Sequence, residues 1–199
     1  MMAAALPDSA TDDLLAYIAL GLLMPEPRHG YALYQDFVEM FGPVWQAGRS
    51  KFYATLADLH EKAGLLDAEM EPQENRPPRK VYHITEAGRD AFERWLLEPV
   101  AQPREVRTAI PVKLRFFEML GLPGAEALLD AQIAVCQARL DREMRRASNR
   151  AGENDFFYEL LYEFRRSQLA GMIDWLHTCR ARFAGRRGQI EPHSLENRD

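Results

Sequence analysis

The hydrophobic rhythm of this chain predicts a mainly α fold interrupted by one short interval of β structure. Three observations carry that reading. Apolar residues recur at helical spacing through most of the 199 residues, and from Leu66 to Glu71 the period drops to two, apolar against acidic. Beyond Val112 the helical period returns and holds through a long second half. The resulting order is three helices, a β-hairpin, a fourth helix and then more helix. This is the order of a winged helix-turn-helix followed by a helical dimerisation domain. The expected boundaries are 9–99 for the winged domain, 100–184 for the helical domain and 185–199 for a polar, disordered tail.

Each element has a local cause. In "DSATDDLLAYIALGLL" Ser9 or Thr11 is the expected N-cap, Asp12 and Asp13 favour the first turn, and Pro25 and Pro27 forbid continuation. "RHGYALYQDFVEMF" follows, with Tyr31, Tyr34, Phe37, Val38 and Phe41 at helical spacing and Gly42-Pro43 as its end. In the third helix, "AGRSKFYATLADLHEKAGLL", Phe52, Leu56, Leu59 and Ala63 make one narrow apolar face. Lys51, Thr55, Asp58 and Lys62 fall on one flank of that face; Ser50, Tyr53, Ala57 and His60 fall on the other.

Leu66, Ala68 and Met70 then alternate with Asp67, Glu69 and Glu71, as a half-buried strand requires. "QENRPPRK" reads as a long basic turn and "RKVYHI" as the return strand. Thr85 is the expected N-cap of "EAGRDAFERWLLEP", and "VAQPREVRTAIP" reads as a linker before "VKLRFFEMLG" opens the second half. From Ala125 to Ala147 a stripe of Leu129, Ile133, Cys136, Leu140, Met144 and Ala147 forms a narrow seam. The last helix, Phe156 to about Phe183, is apolar over more than one face. Two helices cannot cover that much apolar surface, so a homodimer is expected through Leu129, Ile133, Leu140, Phe157, Leu161, Phe164, Met172 and Leu176.

Charge narrows the function. The chain is net −5, and residues 1–99 carry 9 Lys/Arg against 16 Asp/Glu. Nucleic-acid binding must therefore rest on local cations. One group is Arg49, Ser50, Lys51 and Tyr53 at the start of the third helix, where free N–H groups and the helix dipole favour phosphate. A second is the hairpin tip, where Arg76, Arg79 and Lys80 stand within five residues with no acid between them. A third is the turn before the second helix, with Arg28, His29 and Tyr31.

No nucleophile elbow, phosphate loop, dinucleotide fingerprint or zincin motif is present, and the five histidines show no ligand spacing. Neither enzyme activity, nor a metal, nor a cofactor is expected. Cys136 and Cys179 read as buried reduced thiols. The apolar run Leu14–Met24 is too short to span a bilayer, so a cytoplasmic protein without membrane contact is expected. Trp45 is expected to pack the turn before the third helix. Trp95 admits two readings, a core tryptophan or a stacking surface for a planar ligand.

These residues carry a resemblance. "LGLLMPEPRHGYAL", the spacing Tyr53-x-x-Leu56-x-x-Leu59, "AGLL" and "RKVYHITEAGRDAFERWL" closely resemble the N-terminal domain of PadR-like transcriptional regulators over residues 14–97. The second half resembles, by pattern, the longer virulence-activator-type C-terminal domain. The resemblance implies a dimeric repressor on a palindromic operator of double-stranded DNA, with the third helix in the major groove and the hairpin on the flanking backbone. It places Tyr53, Leu56 and Leu59 on the recognition helix and Arg79, Lys80 and Tyr82 on the wing's return strand. It also implies an aromatic small-molecule effector beside the fourth-helix tryptophan, here Trp95. Two departures stand out: Ala54 replaces a common proline, and Gly64 comes one residue late. From the residues alone the alternative is a winged-helix adaptor, without an operator, whose acidic face meets a protein.

Overall fold

The computed structural model describes residues 10–73, 76–149 and 155–187. The elements are α1 (Ala10–Leu22), β1 (Arg28–His29), α2 (Gly30–Phe41), α3 (Arg49–Glu61), β2 (Leu66–Gln73), β3 (Arg76–Ile84), α4 (Glu86–Leu97), α5 (Pro103–Leu120), α6 (Ala125–Asn149) and α7 (Phe156–Arg187). They form two compact units. The first takes in residues up to Glu98 together with Arg104–Leu122; the second takes in Pro99–Pro103 and everything from Pro123. Ser9, one of the two expected caps, lies outside the described residues, as do residues 188–199 of the expected tail. Gly185 to Arg187 of that tail continue α7.

In the first unit α1 is the central element, since Leu14, Leu15, Ile18, Leu20 and Leu22 are all buried. A helix apolar on every side must be enclosed, and α1 packs on α2, α3 and α4. Gly21 lets the next layer approach: a Cβ there would lie 2.4 Å from Phe116 and 2.5 Å from Phe92. The buried face of α2 differs from the expected one. It is Gly30, Leu33, Phe37 and Phe41, while Tyr31 and Val38 face outward. Trp45 packs the following turn, edge-on to Phe37 at 6.2 Å. On α3 the expected stripe Phe52, Leu56 and Leu59 is buried, and Thr55 joins it rather than the solvated flank. The Thr55 hydroxyl donates to the Lys51 carbonyl at 3.0 Å, which satisfies it.

The late glycine explains the end of α3. Lys62 and Ala63 both donate to the Asp58 carbonyl at 3.0 Å, and Leu65 donates to Leu59 at 2.9 Å. One extra residue is thus absorbed in a widened last turn, and Gly64, at φ +64, reverses the chain. Thr85 then knits two segments: its hydroxyl donates to Gly64 O and accepts from Gly88 N, both at 3.0 Å, capping α4.

The sheet is antiparallel in the order β1-β3-β2. Its first strand, two residues long, pairs Arg28 with Tyr82 and His29 with Val81. Sequence periodicity reads that stretch as a turn, because two residues show no period. The hairpin strands run further than expected, so only residues 74 and 75 separate them. Between Glu71↔Arg79 and Gln73↔Arg76 the ladder slips. Pro72, Pro77 and Pro78 fall there, and none has an N–H to donate.

The structure departs from the expected linker. The segment after Val100 is helix from Pro103, and α5 packs into the first unit: Phe116 lies tilted against Phe41 at 5.0 Å and edge-on to Phe92 at 5.1 Å. The apolar stripe of Val106, Ile110, Leu114 and Phe117 is buried with it. Only residues 99–103 behave as a connection. Val100 is clamped by the buried Gln132 side chain, which donates to its carbonyl at 2.9 Å and accepts from its N–H at 2.6 Å.

In the second unit α6 and α7 form an antiparallel hairpin. Arg180 pairs with Asp130 at one end, Cys136 meets Met172 at 3.9 Å in the middle, and Arg165 pairs with Glu143 at 3.2 Å toward the other end. The seam departs from the expected stripe at its distal end. Glu143 is 3 % exposed and Met144 faces out. Arg139, Arg146 and Arg165 surround the carboxylate at 3.5, 2.9 and 3.2 Å, which is what a buried charge requires. Cys136 is buried as expected, whereas Cys179 is partly exposed.

Candidate nucleic-acid interface

The site begins at the N-terminus of α3. Gly48 precedes the helix with extended backbone and makes no side-chain cap. Arg49, Ser50 and Lys51 follow it on the surface. An N-terminus without a side-chain acceptor, with two cations in its first turn, is chemically suited to an anion. The Arg49 guanidinium lies 5.3 Å from the ring centre of Tyr34 on α2, which limits its freedom.

Tyr53 connects this turn to the sheet. A Cβ on Gly30 would lie 2.8 Å from the Tyr53 ring and 3.4 Å from Tyr82, so glycine lets both rings close over the start of α2. Tyr53 is half-buried there, a packing residue as much as a surface one. Burial pushes the Tyr82 phenol above its ordinary range, with Tyr53 and Glu61 adding to the shift. Lys80 continues the arrangement outward, its ammonium 5.4 Å from the Tyr82 ring centre.

The turn residues divide three ways. His29 is the N-cap of α2, its Nδ1 accepting from Ala32 N at 3.3 Å. Tyr31 is 58 % exposed. Arg28 is held by Asp36 at 2.5 Å and Glu26 at 2.8 Å. At the wing, Arg79 is paired with Glu71 across the ladder at 2.5 Å. The hydrogen bond from Arg79, and then its charge, hold the Glu71 carboxyl below the usual range, and His29 lies close enough to add to the effect. The side chain of Arg76 lies outside the described residues. The fold thus brings Arg28, His29, Tyr53, Arg79 and Lys80 around one small sheet. The carboxylates that hold Arg28 and Arg79 were not singled out from sequence, although Glu71↔Arg79 becomes legible once the hairpin is closed at 74–75.

Trp95 is partly buried against residues of the first unit. It stacks on Tyr17 at 4.6 Å and 7°, meets Phe92 at 5.9 Å, and lies edge-on to Phe116 at 6.5 Å. The Lys113 ammonium sits 4.7 Å from its ring centre and donates to the carbonyls of Trp95 and Glu98 at the end of α4. The residues expected at a dimer face separate similarly. Leu129, Ile133 and Leu176 are buried within the single chain and are not available to a partner. Leu140, Leu161 and Met172 are partly exposed, and Phe157 and Phe164 face out at 65 % and 59 %. Among the described residues no helix is long and apolar enough to cross a membrane.

A three-helix core, a helix presenting an uncapped basic first turn and a three-stranded wing define a winged-helix protein. Comparison with known proteins gives the family. Residues 19–94 match the transcriptional regulator PadR-like family, and residues 106–184 match the virulence activator alpha C-terminal family. The chain thus carries a PadR-like domain followed by a virulence-activator-type C-terminal half. It is 28 % identical over 127 residues to the negative transcriptional regulator PadR of Bacillus subtilis, covering 64 % of this chain and 69 % of that one. It is 32 % identical over 93 residues to a Mycobacterium tuberculosis protein named as transcriptional regulator Rv1176c, covering 47 % of this chain and 49 % of that one. A crystal structure of Bacillus subtilis PadR with operator DNA matches at 22 % identity and a TM-score of 0.45, over 87 % of this chain and 99 % of that one.

Proposed function

We propose that this transcriptional regulator is a cytoplasmic homodimer that represses genes by binding a palindromic operator. The observation that carries the reading is the exposed, uncapped first turn of α3, with Arg49, Ser50 and Lys51, in a domain whose wing carries the cations Arg79 and Lys80. In this reading the first turn of α3 enters the major groove and the wing contacts the backbone alongside it. Asp58 and Glu61 confine base contacts to that turn. The dimer is supported by α7, whose Phe157, Leu160, Phe164 and Trp175 form an exposed stripe on the side away from α6. An isologous contact between two such stripes gives the two-fold axis that a palindrome matches. No catalytic step is assigned.

A gel shift on the duplex upstream of the chain's own gene tests this. Lys51→Ala should weaken the shift and lower the magnitude of the salt slope by roughly one to two per dimer. No shift at low salt anywhere in that region would favour the adaptor that meets a protein partner.

A second reading concerns an effector. The half-exposed ring of Trp95, with a buried ammonium beside it, suits a planar aromatic acid that takes the place of Tyr17 in the stack. Titrating phenolic acids while following tryptophan emission should show saturable quenching that is lost in Trp95→Phe. Quenching that survives the substitution would place the ligand elsewhere.

A further inference from the structure

Two cations at the candidate interface are occupied by carboxylates of their own chain. Arg28 on β1 reaches Asp36 on α2 at 2.5 Å, and Arg79 on β3 reaches Glu71 on β2 at 2.5 Å. Both pairs join separate elements around one sheet, in which Arg28 sits opposite Tyr82 and Glu71 opposite Arg79. Asp36 is the less exposed partner, with 20 % of its side chain accessible. An exposed pair such as Glu71 with Arg79 adds little to stability.

Each carboxylate occupies the guanidinium that a DNA phosphate would seek. A phosphate that takes Arg28 or Arg79 must first displace an oxygen anion, and the displaced carboxylate stays close to the incoming backbone. The net charge offered to the duplex is close to zero at Arg79 with Glu71, and it is negative at Arg28, which Glu26 also holds at 2.8 Å. Sequence-independent affinity rests on phosphate neutralisation and counterion release, so it suffers most from this arrangement. Base-edge contacts from the first turn of α3 do not pass through either pair.

We propose that Asp36 and Glu71 are specificity-determining residues, acting as intramolecular phosphate mimics that suppress sequence-independent DNA binding through Arg28 and Arg79. The proposal rests on the DNA-binding reading above and adds to it two acids as functional parts of the interface. The unusual acidity of the first 99 residues, 16 acids against 9 bases, then has a local role at two of its members.

The test uses the full chain and a labelled duplex of random sequence, about 30 base pairs long, followed by fluorescence anisotropy from about 50 to 200 mM salt. The double variant Asp36→Asn with Glu71→Gln should bind roughly tenfold tighter at low salt, with a salt slope steeper by about two to four per dimer. Glu159→Gln, an exposed acid on α7, makes one of the same charge changes elsewhere and should alter neither quantity. In an Arg79→Gln background the gain from Glu71→Gln should disappear, a non-additivity that bulk charge cannot produce. Overturning results are variants that behave like wild type or like Glu159→Gln, or a gain that persists without Arg79. If wild type binds and the variants match it, only this proposal fails. If none of the proteins binds any duplex at low salt, it fails together with the DNA-binding reading.

Discussion

Lys113 on α5 is a charged group in a place built for apolar ones. It is 1 % exposed, and its partners are two main-chain carbonyls at the C-terminal end of α4 and the face of Trp95. The carbonyls and the helix dipole favour a cation there, but burial outweighs them and pushes the amine down to about 8, with the Glu98 charge opposing. Between about pH 8 and 10.5 the unfolded chain still binds this proton while the folded chain has released it, so stability rises with pH through that window. Below pH 8 the cost of the buried charge is fully present; above 10.5 it is gone. The total is on the order of 3 kcal/mol. Burial raises the Cys136 and Cys179 thiols, which works in the opposite sense at alkaline pH. The measurement is therefore a difference: urea unfolding of wild type and Lys113→Met from pH 7 to 10. Wild type should gain on the variant as pH rises above 8. A constant gap would mean that the ammonium is not desolvated as the structure has it.

Among the elements, the contact between the turn after α3 and the start of α4 carries the most information per residue. Thr85 N donates to Leu65 O at 3.1 Å, and Gly88 lies so close that a Cβ would come within 2.2 Å of the same oxygen. Main chain cannot swing aside as a side chain can, so Gly88→Ala must tilt α4 away from Leu65. A loss of roughly 1–3 kcal/mol is expected, read as a fall of about 2–10 °C in Tm. An unchanged Tm would show that α4 has slack at this point. Much of this was legible in "AGLL" and "HITEAG", where a cap, a glycine and an apolar pair are close in sequence. What stayed illegible was whatever depends on partners distant in sequence. Leu33 rather than Tyr31 faces the core because α1 lies there, β1 exists only as a ladder on β3, and Lys113 is buried only because α4 ends above it. The Arg49–Lys51 turn was legible because a helix N-terminus is a local feature. The carboxylates on Arg28 and Arg79 were not, because they arrive from other elements.

For the whole molecule, α7 decides what the chain can be in solution. It is 32 residues long, and its two apolar faces differ in fate: Leu169, Ile173 and Leu176 are buried, whereas Phe157, Leu160, Phe164 and Trp175 are open. Phe157, Leu160 and Phe164 follow one another turn by turn, and Trp175 falls on the same side three turns further on, about 27 Å from Phe157 at helical rise. A soluble monomer rarely leaves such a group of large apolar side chains uncovered. The Glu143 cluster with Arg139, Arg146 and Arg165 holds the hairpin in register, so the stripe is presented on a firm support. In the proposed homodimer a second copy would cover it with the same residues and bring the two winged units onto one duplex. Tethering makes the second half-site contact intramolecular, at an effective concentration in the millimolar range. Leu160→Glu with Phe164→Glu places like charges across that contact and leaves the buried face of α7 untouched. Light scattering should then report the mass of one chain while far-UV circular dichroism stays helical. Operator affinity should fall by roughly a hundredfold or more, because each half-site is then bound alone. A variant that stays dimeric would move the interface off this stripe. A monomer that keeps full operator affinity would instead sever the link between the two-fold axis and DNA binding.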